Sequence, residues 1–292
     1  MVNPHVYRLH FAEERSSARA LGARRLTEVR EYFMWSTPDS VISADGTRIV
    51  FHTLGDGPPL VVMHGALVTV ETYYPMAELL ATDYRVVVVC RRGYTPSGSG
   101  TQPRIFARQV EDLAAVLERQ DDVSFVFGHS AGGLVVLEAL VAMGVPSIRR
   151  FALYEAPLAL AGGPLRPTLE RARELVADHP ADSVVEFFRA VLDSPVPEGI
   201  LRSMGAAMAD RAPGLIADLE CLSAMDPDLN RWSATDIPAL LLAGAASDRY
   251  GPESMEKLDA VLPDSRFRSL AGQTHNPDDF TSVAAVLREF FY

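Results

Sequence analysis

The sequence predicts an α/β fold: a mostly parallel central sheet flanked by helices, with an all-helical segment inserted between two strands. Three observations carry that prediction. Short apolar runs recur at Leu60–Met63, Val86–Val89, Phe125–Phe127, Phe151–Tyr154 and Ala239–Leu242. Each is continuous rather than alternating, as expected of strands buried on both faces. Helical segments separate the runs, giving the strand–helix alternation of an α/β layer structure. The alternation then fails from Pro157 to Asp236, where helical pieces follow one another with no convincing strand between them.

Taken in order, residues 1–40 form an N-terminal helical extension. Phe11–Trp35 carries apolar Ala18, Leu21, Leu26, Val29 and Phe33 among charged residues, with Gly22 interrupting the pattern. It is read as an appendage packed on the main domain; a dimer contact or a flap over the active site are the alternatives. Residues 41–157 open the main domain. A hairpin is signalled by Val41-Ile42-Ser43, the turn Ala44-Asp45-Gly46-Thr47 and Arg48–His52. The helices Tyr74–Ala81, Ala107–Arg119 and Leu134–Met143 alternate with the strands that follow. Residues 158–235 are read as a helical cap, with Leu165–Ala177, Ser183–Leu192, Glu198–Met208 and Leu215–Ser223 separated by Pro-bearing turns. Residues 236–292 return to the core and end on the helices Pro252–Leu262 and Pro277–Phe290.

Composition narrows the function classes. A chain of 292 residues with 48% hydrophobic and 22% charged residues is an ordinary globular protein, large enough for a substantial core. The net charge of −11 gives no support to a nucleic-acid or anionic-membrane partner. Cys90 and Cys221 belong to no CxxC pair, so neither a disulfide framework nor a zinc site is expected. No signal-peptide core or membrane-length apolar run is present, and the chain is expected to be cytoplasmic. HExxH and EF-hand patterns are missing, and no Gly-Lys-Ser/Thr follows Gly55-Asp56-Gly57, so no metal or cofactor is expected. A homodimer is left open.

The strongest single signal is Phe125-Val126-Phe127-Gly128-His129-Ser130-Ala131-Gly132-Gly133-Leu134-Val135. It sets Gly128-x-Ser130-x-Gly132 directly after an apolar strand and directly before a helix. A hydroxyl on so tight a turn projects into a cleft, and the turn leaves no room for side chains two residues to either side. Ser130 also sits at a helix N-terminus, where unpaired N–H groups favour developing negative charge.

On these residues the sequence resembles the α/β-hydrolase superfamily, from about Val41 to Tyr292. His64-Gly65-Ala66 looks like the family's oxyanion loop, and the match implies that the backbone N–H groups of Ala66 and Ala131 form an oxyanion hole. Arg91-Arg92-Gly93-Tyr94-Thr95-Pro96-Ser97-Gly98 is similar to the family's D-x-R-G-x-G-x-S loop. It departs from it at Cys90, where Asp is usual, and at Thr95, where the second Gly is common.

Among seven histidines, His5 and His10 fall in the extension, His52 in the hairpin and His179 in the cap, while His64 and His129 belong to motifs in which the family's histidine supports loop geometry. His275, in a loop just before the final helix, stands where the resemblance places the catalytic base. For the orienting acid, Leu240–Asp248 resembles the family's LLxGxxD segment, which implies Asp248 and the chain order Ser, Asp, His. Glu155, in Tyr154-Glu155-Ala156-Pro157, is the rival, because some family members draw the acid from that strand. Its structural alternative is a residue at the cap hinge.

The resemblance implies a serine hydrolase acting on a small, apolar carboxylic ester, lactone or related acyl compound through Ser130, His275 and Asp248. A cofactor-free haloperoxidase or perhydrolase would use the same residues. A non-catalytic ligand receptor on the same fold is the alternative from a different class. Relatives with an Asp nucleophile are disfavoured, because this chain has Ser130.

Overall fold

Residues 35–100, 105–142, 148–192, 195–247, 250–277 and 279–292 are described in the computed structural model. The helix expected over Phe11–Trp35 lies outside them except for Trp35, whose ring lies over Tyr74 with centroids 4.0 Å apart. The hairpin forms as β1 (Asp39–Ile42) and β2 (Arg48–Leu54), paired antiparallel around the Asp45-Gly46 turn. Gly46 takes a φ of 83°, which favours glycine.

Six further strands follow: β3 (Pro59–Met63), β4 (Arg85–Cys90), β5 (Ser124–His129), β6 (Ile148–Tyr154), β7 (Ala239–Gly244) and β8 (Ser265–Leu270). The sheet order is β1-β2-β4-β3-β5-β6-β7-β8, parallel from β4 to β8. The strands β3, β5 and β7 are buried at every residue, which is why they read as unbroken apolar runs. The edge strand β8 reads Ser-Arg-Phe-Arg-Ser-Leu instead, with charged residues that discourage pairing with another chain.

The helices α1 (Tyr74–Leu80), α2 (Phe106–Glu118), α3 (Ala131–Ala142), α8 (Tyr250–Asp259) and α9 (Phe280–Phe291) accompany the sheet. Helix α3 is apolar nearly all round and buried over most of its length. Helix α2 is amphipathic, and the polar residues on its buried side have partners: Gln109 accepts from Arg91 and Asp112 from Arg92.

Between β6 and β7 the described residues contain only helices and turns. The principal helices there are α4 (Arg166–Leu175), α5 (Pro180–Val191), α6 (Glu198–Ala207) and α7 (Ala212–Ala224). Proline occupies the first turn of α4, α5 and α7, where its missing N–H costs no hydrogen bond. The apolar Leu215, Leu219, Leu222 and Met225 are core residues. Among the described residues no helix is long and apolar enough to cross a membrane.

The chain passes from β3 to β4 on one side and returns to β5 on the other, so the strand order reverses at β3. Ligands of open α/β sheets bind beyond the strand C-termini at such a reversal. Register places Met63 opposite Gly128, so His64-Gly65-Ala66 and Ser130 emerge side by side at that crevice.

Candidate active site

Ser130 stands between β5 and α3 with a φ of 50°, a conformation that costs a non-glycine residue about 1–3 kcal/mol unless its surroundings hold it. Here they do. Its N–H donates to Tyr154 O at 2.9 Å, and its carbonyl accepts from the Gly133 N–H at 2.9 Å. The flanking glycines are a steric necessity. A Cβ on Gly132 would stand 2.2 Å from Met63 O, and one on Gly128 would stand 2.6 Å from Gly133 Cα.

His275 reaches this serine from the loop after β8. Its Nε2 lies 3.1 Å from Ser130 Oγ, and its side chain is 42% exposed. The neighbouring strand ends hold the loop. His129 Nε2 lies 2.8 Å from the His275 carbonyl, Tyr154 OH donates to Thr274 O at 2.7 Å, and the Ala246 N–H donates to Gln273 O at 2.9 Å.

The carboxylate on the far side of the imidazole is Glu155. Its Oε2 lies 2.7 Å from His275 Nδ1. The resemblance implies Asp248 for that place, with Glu155 as its rival. Asp248 itself lies outside the described residues, and Nδ1 carries a single proton, which Glu155 accepts. Glu155 follows β6 directly and is 1% exposed. Its φ of 48° turns the chain sharply as it leaves the sheet. Its other oxygen, Oε1, accepts from the Gly244 N–H at 2.7 Å and from Ser247 Oγ. The carboxylate also packs on the first turn of α8, so closely that a Cβ on Gly251 would stand 2.4 Å from Oε2. A helix first turn packed against it favours negative charge.

Two buried imidazoles support the site from behind. Burial, and then repulsion from His275, push His129 down to about 3. The neutral ring donates from Nε2 to the His275 carbonyl and accepts at Nδ1 from Tyr73 OH, 2.6 Å away. Tyr73 OH in turn accepts from the Gly65 N–H at 3.1 Å. One chain of hydrogen bonds therefore joins the loop after β3 to the backbone of His275. Burial, and then the Arg91 charge, likewise push His64 down to about 3. Its Nε2 accepts the Arg91 N–H at 3.0 Å, which leaves Nδ1 to donate to Gly65 O at 2.7 Å.

Ala131 follows Ser130 at the start of α3, and Ala66 follows Gly65 in the loop after β3. A Cβ on Gly65 would stand 3.1 Å from Ser130 Cβ, so the two segments are in contact. Cys90, standing where the resemblance expects Asp, is a buried thiol that donates to Tyr94 O at 3.2 Å, and burial pushes its pKa up.

Sequence reasoning missed Tyr73 and Asp218. Tyr73 lies in a turn of 3₁₀ helix with no motif around it. Asp218 stands between Ala217 and Leu219 on α7, and its partner Arg91 is 127 residues away in the chain. A buried Asp among apolar residues was the one available signal.

The alpha/beta hydrolase family's sequence profile matches residues 60–286. A solved alpha/beta hydrolase from Sphaerobacter thermophilus DSM 20745 superposes with a TM-score of 0.76 at 31% identity, covering 87% of this chain and 100% of that one. A pimeloyl-(acyl-carrier protein) methyl ester esterase from Stenotrophomonas maltophilia (strain K279a) is 28% identical over 250 residues, which are 81% of this chain and 93% of the relative. The enol-lactonase from Burkholderia xenovorans LB400 shares the fold, with a TM-score of 0.68 at 17% identity over 87% of this chain and 98% of that one. With most of the chain matched by the profile, and a strand reversal that sets a strained serine beside an imidazole, this protein belongs to the alpha/beta hydrolase family.

Proposed function

We propose that the protein is a serine hydrolase that cleaves a small, apolar carboxylic ester, lactone or related acyl compound through an acyl-enzyme on Ser130. The observation that carries this reading is the continuous array from Ser130 Oγ to His275 Nε2 at 3.1 Å and from His275 Nδ1 to Glu155 Oε2 at 2.7 Å. The likeness to a methyl ester esterase supports the acyl class.

In this mechanism His275 Nε2 takes the Ser130 proton as Oγ bonds to the substrate carbonyl carbon. The carbonyl π electrons move onto oxygen, and the N–H groups of Ala66 and Ala131 hold the resulting oxyanion. Glu155 fixes the tautomer and stabilises the imidazolium. Collapse of the tetrahedral intermediate breaks the bond to the leaving alkoxide, which takes the proton from Nε2 and departs as the alcohol. Water then repeats the cycle on the acyl-enzyme, with His275 as base, and releases the carboxylic acid and free Ser130.

The test is Ser130→Ala with a short-chain nitrophenyl ester. Turnover is expected to fall by about 10⁴-fold or more, to the level set by binding and the oxyanion donors. A folded Ser130→Ala protein that kept near-wild-type turnover would remove Ser130 from the chemistry.

A further inference from the structure

We propose that Asp218, on the inserted helix α7, is a positioning residue for the oxyanion loop, acting through Arg91 and Tyr94; this rests on the hydrolase reading of the site. The loop His64–Leu67 is held on both sides of Ala66. Before Ala66, Arg91 Nε donates to His64 O at 2.7 Å. After it, the Leu67 N–H donates to Tyr94 OH at 3.1 Å, and Arg211 Nη1 donates to Leu67 O at 2.8 Å. Leu67 has a φ of 59°, a region that a bulky side chain avoids, so the loop needs these contacts to keep its shape.

Arg91 and Tyr94 converge on a single carboxylate. Arg91 forks onto Asp218 with Nη1–Oδ1 at 2.6 Å and Nη2–Oδ2 at 2.8 Å, and Tyr94 OH donates to Oδ2 at 2.7 Å. Arg91 is 1% exposed and Asp218 6%, so the pair is desolvated and tolerates little movement. Burial opposes ionisation of Asp218, but the Arg91 charge outweighs it and holds the carboxyl below its usual range.

Helix α7 is seated closely enough to transmit this. Gly214 lies against the Tyr94 ring, where a Cβ would stand 2.6 Å from the nearest ring atom, and a Cβ on Gly93 would stand 3.1 Å from Gly214 Cα. A pair that served only to dock the helix would have no need to reach the backbone on either side of Ala66. This one does, and an oxyanion donor has to be held to within about 0.5 Å of its productive place.

Tyr94→Phe and Asp218→Asn test the proposal. Glu138→Gln is the control, because it weakens a different tether, from α3 to Arg231 at 2.8 Å, remote from this loop. With a nitrophenyl ester, Tyr94→Phe and Asp218→Asn are expected to lower kcat about 10- to 100-fold with KM within about twofold, part of the loss seen when an oxyanion donor is removed outright. Affinity for a boronic acid that forms a tetrahedral adduct with Ser130 should fall by the same factor. Hydrogen exchange at the Leu67 amide should accelerate in both variants and stay slow in Glu138→Gln. Wild-type kcat in a folded Tyr94→Phe protein, or a loss that merely tracks Tm in all three variants, would overturn the proposal. The exchange readout needs no turnover: unchanged Leu67 protection overturns the positioning role. A wild-type protein that hydrolyses no ester would count against the hydrolase reading instead.

Discussion

The C-terminal ends of β6 and β7 lie side by side beneath His275, and they are built differently. Beyond β6 the chain turns through Glu155 at a φ of 48°, with the Glu155 N–H donating to Leu242 O and the carboxylate almost wholly buried. Strand β7 ends on Gly244, where a Cβ would stand 2.3 Å from Gln273 O, and runs into a tight turn closed by the Ser247 N–H on Gly244 O. The β6 end contributes an acceptor, while the β7 end contributes donors to it, from the Gly244 N–H and Ser247 Oγ. The carboxylate at the β6 end therefore faces the imidazole with one oxygen while the neighbouring strand end satisfies the other.

Exchanging the acceptor should have the largest effect. Glu155→Gln presents an amide to the imidazole and favours the wrong tautomer, so kcat on a nitrophenyl ester is expected to fall by about 10³- to 10⁴-fold with the fold retained. A drop smaller than tenfold would mean that the β6 end does not orient the base.

The buried imidazole behind these strand ends gives the next effect, on stability. His129 is held near 3 in the folded protein, below its unfolded value, so the unfolded chain binds one more proton between about pH 3 and 6.5. Its contribution is complete above about pH 6.5 and is lost as pH falls through that window, at about 1.4 kcal/mol per pH unit. His64 behaves in the same way. Denaturant titrations at pH 7 and pH 5 should show this slope, and His129→Gln should flatten it by one proton's share. An unchanged slope would mean that His129 is not buried neutral.

The donors from β7 are worth less. Ser247→Ala removes one hydrogen bond to Glu155 and should cost about 0.5–1.5 kcal/mol of stability, read by urea denaturation, with a loss of kcat far below that of Glu155→Gln. Asp248→Asn is expected to be the mildest, with kcat within about threefold of wild type, because the one Nδ1 proton of His275 already has its acceptor. A loss from Asp248→Asn comparable to that from Glu155→Gln would reverse the comparison.

Much of this architecture is legible in the chain, and the exceptions have physical causes. Strands buried on both faces announce themselves as apolar runs, so β3 to β7 could be read directly, and the Gly128-x-Ser130-x-Gly132 spacing marks a turn that sterics leave almost no freedom to vary. The edge strand β8 gave a weaker signal, because Arg266 and Arg268 break its apolar character. The choice between Glu155 and Asp248 could not be made from local pattern. Both follow buried strands, and the donors gathered around the Glu155 carboxylate come from segments distant in the chain. The Arg91–Asp218 pair was hidden for the same reason: its members are distant in the chain, and nothing beside either one names the other.

The most direct measurement is the rate at which a fluorophosphonate labels the protein, followed by intact mass and located by peptide mapping. The triad reading predicts one label per chain on Ser130, with labelling strongly slowed in Glu155→Gln and close to wild type in Asp248→Asn. A label on another residue, or fast labelling of Ser130 in Glu155→Gln alongside slow labelling in Asp248→Asn, would contradict it.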